Sequence, residues 1–292
     1  MSQTVLITGT SSGFGKLIAK TLLKKGYNVI ASMRDSNGRN AEAAEELRGL
    51  GDDDKLLIVD LDVTKDDSVE SAVNQAAEKF GRIDALVNNA GLGTGGISEG
   101  FTSDQFTKLM EVNVIGVHRV TRAVLPHLRK QKTGLIINIS SVMGRIVIPF
   151  ASAYTASKFA IEGYTESLRY ELQTLGIDVI SVEPGGFMTG FMSNMIEPED
   201  KSRVEEYGEV AKMPEQMWGS MEDRMTGQDA PDPQEVADAV LELVETPAGK
   251  RPVRVVVDPM NGGEGPRTIN QTTEQVQKQL LEAFGMAELS DN

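Results

Sequence analysis

Cysteine is absent from the 292 residues, which excludes disulfides, thiolate metal sites and thiol nucleophiles. Histidine is almost as scarce. His118 and His127 stand without supporting ligands and read as ordinary helix residues, so no metal site is expected. Positive charge is in deficit, with 29 Lys and Arg against 43 Asp and Glu and a net charge of −14, which argues against nucleic acid or anionic membrane as a partner. No apolar run approaches membrane-spanning length, and the chain enters an apolar segment at Val5-Leu6-Ile7, leaving no room for a signal peptide. These absences make a cytoplasmic protein the expectation.

What the chain does have is 40% hydrophobic residues, ample for a buried core. Short β-rich runs at 4–8, 28–32, 55–60, 85–88, 135–139, 178–182 and 253–257 alternate with amphipathic segments such as 16–24 and 67–80. Helices of that kind cross over and return the chain parallel, which predicts an α/β, doubly wound sheet covered on both faces. No repeat or linker divides the first 260 residues. They read as a single domain, with residues 261–292 as an extension.

The first strand runs into Thr8-Gly9-Thr10-Ser11-Ser12-Gly13-Phe14-Gly15 and then a helix-forming stretch. Glycines let backbone approach a diphosphate, a helix N-terminus offers free N–H groups to it, and Ser11 and Ser12 add hydroxyl donors. The competing reading is a tight turn with a helix cap, and the spacing is Gly-x3-Gly-x-Gly rather than Gly-x-Gly-x-x-Gly. At the end of the second strand, Met33 stands where NAD sites usually carry a carboxylate, and Arg34 can pair with a 2′-phosphate. NADP(H) is therefore favoured and NAD(H) possible, with Asp35 as the complication. Asp62 and Val63 follow the third strand, where Asp62 either accepts from an adenine amino group or caps the next helix. Asn88-Asn89-Ala90-Gly91 closes the fourth, and Asn88 reads as a structural bridge to the backbone of adjacent strands.

Tyr154 and Lys158 lie four residues apart on a predicted helix, which sets them on one face. An ammonium beside a phenol lowers its pKa from about 10 and makes it a useful acid or base. The competing reading is a coincidence on a solvated helix face. Ser141 lies thirteen residues before Tyr154, at the carboxyl end of the fifth strand, where open parallel sheets bind ligands.

Taken together, the glycine turn, Asn88-Asn89-Ala90-Gly91, Asn113, Ser141, Tyr154-x-x-x-Lys158 and Pro184-Gly185 resemble the short-chain dehydrogenase/reductase family over roughly residues 3–259. The resemblance implies a Rossmann-type fold with a seven-stranded parallel sheet and reversible hydride transfer between a nicotinamide and an alcohol or carbonyl. It implies Tyr154 as acid/base, Lys158 as its pKa-lowering partner on the nicotinamide ribose, and Ser141 on the substrate oxygen. Asn113 would complete the tetrad by bending a helix and anchoring a water. Gly9, Ser11, Ser12, Gly13, Phe14, Gly15, Arg34, Asp62, Val63, Asn89, Ala90 and Gly91 would line the dinucleotide. Pro184, Gly185 and Thr189 would lie against its nicotinamide. A homo-oligomer, dimer or tetramer, is expected by the same resemblance.

More than half of the thirteen methionines lie between Met188 and Met225, with Trp218, in a stretch expected to form a helical substrate lid over about residues 186–230. Met213, Met217, Met221 and Met225 recur at helical spacing and suit either an apolar pocket or core packing. A fainter likeness to the 17β-hydroxysteroid and retinol dehydrogenase branch points the same way, to a hydrophobic substrate. Val276, Leu280, Leu281 and Phe284 share one face of a predicted helical tail able to clasp its own domain or a second subunit. The main alternative is a dinucleotide-binding regulator or redox sensor without catalysis. A nucleotide-sugar epimerase or dehydratase fits less well, because relatives of that type resemble a different glycine spacing.

Overall fold

The computed structural model describes residues 2–50 and 54–290. Seven strands form one parallel sheet: β1 Thr4–Thr8, β2 Asn28–Met33, β3 Leu56–Asp60, β4 Ala85–Asn88, β5 Gly134–Ile139, β6 Ile177–Pro184 and β7 Arg254–Val257. Their order is β3-β2-β1-β4-β5-β6-β7, so the winding reverses between β1 and β4. Connections leave that pair in opposite directions and open a crevice at the strands' carboxyl ends.

The helices are α1 Gly13–Lys24, α2 Ala41–Arg48, α3 Asp66–Phe80, α4 Ser103–Met110, α5 Gly116–Gln131, α6 Ser152–Leu172, α7 Lys201–Glu205, α8 Met213–Thr226, α9 Gln234–Glu245 and α10 Glu264–Ala283. Successive strand side chains point to opposite faces, so Val5 and Ile7 join one core while Leu6 joins the other. The first core is filled by Ile18 and Leu22 of α1, Leu47 of α2 and Val240 of α9. The second takes Val73 of α3, Val124 of α5 and Leu168 of α6. Both faces are buried, which is why the central strands read as continuous apolar runs.

Asn88 is structural, but through side chains rather than backbone: its amide donates to Asn138 Oδ1 at 2.9 Å and Thr121 Oγ1 at 3.1 Å. The backbone stitching falls to its neighbour. Asn89 Nδ2 donates to Thr8 O at 2.8 Å and Gly9 O at 3.0 Å, and the Thr8 hydroxyl accepts from the Asn89 and Ala90 N–H groups. The glycine turn is thereby fastened to the end of β4.

The tail helix α10 clasps its own domain, one of the two expectations, but through its polar face rather than its apolar one. Val276, Leu280 and Phe284 are exposed, while the docked face carries Asn270 and Gln277, which donate to Glu183 and Glu166. Buried carboxylates on β6 and α6 need donors more than they need apolar cover, so the polar face faces inward. No helix among the described residues is long and apolar enough to cross a membrane.

Candidate active site

At the end of β1, Gly9 is left-handed with φ 72°, and a Cβ there would stand 2.9 Å from Ala90 Cα. A Cβ on Gly15 would fall 2.3 Å from Gly9 O. Any side chain at either position would spread the turn. Ser12 caps α1 without a side-chain bond, and the first turn holds no acidic residue. The helix therefore presents uncapped N–H groups in a neutral setting, which fits a diphosphate. Thr189 lies across from this turn, its Cβ 3.6 Å from where a Gly13 side chain would begin. Phe14 packs against the first core and edge-on against Phe187, ring centroids 5.5 Å apart.

Arg34 is exposed just beyond β2. Asp35, left-handed with φ 52°, turns its carboxylate back to accept from Arg39 N–H at 3.0 Å. Asp60 accepts from the N–H and hydroxyl of Ser36. Asp62 does not cap α3, whose N-cap is Lys65; it accepts from the Thr64 hydroxyl at 2.7 Å and its N–H at 3.0 Å. Burial pushes the Asp62 carboxyl up, but the Thr64 bonds and the charges of Arg34 and Lys65 outweigh it and leave the pKa lowered. Val63 is 8% exposed, with its side chain in the core, so only its backbone is available to a ligand.

Asn113 sits in a one-turn π-helix, Glu111–Ile115, between α4 and α5. The extra residue in that turn aims its amide across to Leu92, accepting from Leu92 N–H at 2.8 Å and donating to Leu92 O at 2.9 Å. The same amide nitrogen donates to Ser157 Oγ at 3.0 Å, and Ser157 Oγ donates to Tyr154 O at 2.7 Å. Asn113 thus reaches the first turn of α6 through Ser157.

Tyr154, Lys158 and Ser141 do come together. Lys158 Nζ lies 5.5 Å from the Tyr154 ring centroid and donates to Ile139 O at 2.9 Å. Ser141 follows β5; its Oγ accepts from Met143 N–H at 3.1 Å, lies 3.4 Å from Pro184 O, and is hydrogen-bonded to the Tyr154 phenol. Burial pushes the phenol up to about 12, only partly countered by the Ser141 bond. The expectation of a phenol held low by Lys158 is therefore corrected: desolvation dominates, and the ammonium is bonded to a carbonyl. Burial lowers Lys158 itself to about 8, while the Glu162 charge raises it.

Several contacts had no local sequence signal. Phe191 packs on Tyr154 with ring centroids 5.6 Å apart, and Thr94 Oγ1 accepts from Tyr154 N–H at 3.2 Å. Trp218 joins Val142, Met143 and Tyr154 in a third apolar cluster. The methionine stripe runs from Met213 at 48% exposure to Met225 at 2%, so it grades from solvent to core rather than lining one surface. Gly185 tucks beneath Asp258, and its N–H donates to Val257 O at 2.8 Å.

The short chain dehydrogenase model matches residues 3–200. The chain belongs to the short-chain dehydrogenase family. It is 42% identical over 207 residues to a 3-ketodihydrosphingosine reductase of Bacteroides thetaiotaomicron, covering 71% of this chain and 72% of that protein. It is 40% identical over 193 residues to mouse retinol dehydrogenase 16, covering 65% of this chain and 58% of that protein. Among solved structures, a single-residue variant of actinorhodin polyketide ketoreductase with NADPH superposes with a TM-score of 0.73 at 31% identity, covering 90% of this chain and 97% of the other. A 3-ketoacyl-(acyl-carrier-protein) reductase of Brucella melitensis complexed with NADH is another structural neighbour, with a TM-score of 0.72 at 28% identity, covering 88% of this chain and 96% of the other. The branch likeness to retinol dehydrogenases and the seven-stranded Rossmann-type architecture both follow from these relatives and from the sheet order.

Proposed function

We propose that this short-chain dehydrogenase reduces a hydrophobic ketone or aldehyde with NADPH, using Tyr154 as the proton donor. The observation that carries the reading is the convergence of Ser141, Tyr154 and Lys158 beneath the apolar cluster of Val142, Met143 and Trp218. A phenol held at about 12 is protonated at neutral pH and so carries the proton that reduction of a carbonyl requires. Tyr154 gives its proton to the substrate oxygen while the Ser141 hydroxyl donates to the same atom as charge develops there. Lys158, as an ammonium, would hold the nicotinamide ribose, and Asn113 holds the first turn of α6 through Ser157.

The residues present fit a nicotinamide dinucleotide. When bound it supplies the hydride. The turn Gly9 to Gly15, with Ser11 and Ser12, would hold its diphosphate, Asp62 its adenine, and Ala90, Gly91, Pro184, Gly185 and Thr189 the nicotinamide half. Exposed Arg34 would take a 2′-phosphate, with the Asp35 carboxylate turned back to accept from the Arg39 N–H. Retinol and 3-ketodihydrosphingosine, the compounds named in two relatives, both carry long hydrocarbon portions, in keeping with an apolar pocket.

The test is NADPH-dependent turnover across a panel running from long-chain ketones and retinal to small polar carbonyls. Tyr154→Phe is expected to lower kcat by about 10²–10⁴-fold while NADPH binding, read by fluorescence, is retained. An undiminished rate in that variant would overturn the assignment, and turnover confined to small polar carbonyls would overturn the substrate class. Arg34→Ala is expected to raise KM for NADPH and leave that for NADH unchanged.

A further inference from the structure

The catalytic face of α6 does not end at Lys158. One turn on stands Glu162 and another turn on Glu166, so Tyr154, Lys158, Glu162 and Glu166 form a single stripe. Glu162 is 2% exposed; its Oε1 accepts from Ser181 Oγ at 2.6 Å and its Oε2 from Arg145 Nη2 at 2.8 Å. Gly144 brings the turn after β5 directly onto this part of the helix: a Cβ there would stand 2.8 Å from Glu162 Cγ and 3.1 Å from Lys158 O. Lys158 and Glu162 are both buried at this turn.

Charges from every packed element face this turn. Arg145 bonds Glu162, Glu166 and Glu183; Arg254 of β7 bonds Glu166 and Glu274; Asn270 and Gln277 of α10 donate to Glu183 and Glu166. Three buried carboxylates thus share two buried guanidinium groups, and Lys158 is the remaining cation on the stripe. We propose that Glu162 is a positioning residue for the proton-transfer pair, supplying the counter-charge that keeps Lys158 an ammonium in its buried seat. Burial works against that charge and Glu162 works for it. The proposal rests on the assignment of Lys158 to the reacting site, but its central claim concerns a lysine charge that is readable without turnover.

The experiment is selective 13Cε-lysine labelling, with Lys158→Met assigning the resonance, followed through pH in wild type and Glu162→Gln. The glutamine keeps the volume and an acceptor for Ser181 or Arg145, and Arg145 retains Glu166 and Glu183. The Lys158 midpoint is expected to fall by roughly one unit. In turnover, kcat/KM should then fall several-fold at pH 8 with little change at pH 6, and Glu162→Asp should restore most of the loss. An unshifted midpoint, or an equal loss at both pH values, would mean a merely structural role and overturn the proposal. So would a wild-type Lys158 that is already neutral at pH 7, a result needing no variant. If the midpoint shifts but no carbonyl is reduced, the functional reading fails and the electrostatic role of Glu162 stands.

Discussion

Glu183 is fully buried on β6, beside Glu162, with Arg145 and Asn270 as donors. Burial first and the Glu162 charge second push its carboxyl up to about 7, against the lowering effects of Asn270 and Arg145. A carboxyl whose pKa is raised on folding contributes stability that is full below its unfolded value, about 4.5, and is lost as pH rises through about 7. Glu183→Gln removes that loss, and Asn270 Oδ1, which has no partner, can turn to accept from the new amide. The variant is expected to melt several degrees above wild type at pH 8, by at most about 3 kcal/mol, with the gap closing below pH 5. A gap independent of pH in thermal melts would contradict this. At this scale Tyr154 and Lys158 were legible because a fixed spacing on one helix determines which side chains share a face, and Ser141 was legible from its place at a strand end together with the family resemblance. Glu162 and Glu183 were not, since their partners Arg145, Ser181 and Asn270 arrive from segments remote in sequence. The phenol's raised pKa was also illegible, because it depends on how much protein covers the ring.

The seven strands could be read from short apolar runs, with ends off by one or two residues, because both sheet faces are buried. The π-turn at Glu111–Ile115 could not, and only the resemblance implied a helix bend at Asn113, since its extra residue is held by the Asn113 clamp on Leu92, a tertiary contact. The methionine-rich segment after β6 shows the same division. Its methionines and Trp218 announced an apolar segment, but its seat is the glycine-rich loop after β4. Ile196 N–H donates to Gly93 O at 2.9 Å, and a Cβ on Gly93 would stand 2.5 Å from Phe191 Cζ. Only ring and side-chain tips lie in the way, so Gly93→Ala should displace Phe191 from Tyr154 rather than strain the fold. KM for a bulky apolar carbonyl is expected to rise several-fold with Tm nearly unchanged. Steady-state kinetics on a bulky and a small carbonyl check this, and an equal effect on both would speak against Phe191 as a wall of the substrate site.

Across the whole molecule, the alternation of strands and helices carried the parallel, doubly wound architecture. The tail's helix was legible from the spacing of Val276, Leu280 and Phe284, but its docked side was not. Amphipathic logic puts the apolar face inward, whereas α10 is drawn in by carboxylates that lack enough donors of their own. The balance is tested by ending the chain at Gly263. That deletion strips Asn270 from Glu183, Gln277 from Glu166 and Glu274 from Arg254. Each lost partner leaves a buried charge less well paired, at about 1–3 kcal/mol apiece. Because Asn270 lowers the Glu183 pKa, its removal drives that pKa higher still and widens the pH range over which ionisation opposes folding. The truncated chain is therefore expected to lose more stability at pH 8 than at pH 5. Urea denaturation at the two pH values measures the difference. Equal losses would show that α10 stabilises the protein by covering surface, with no special bearing on the carboxylates beneath it.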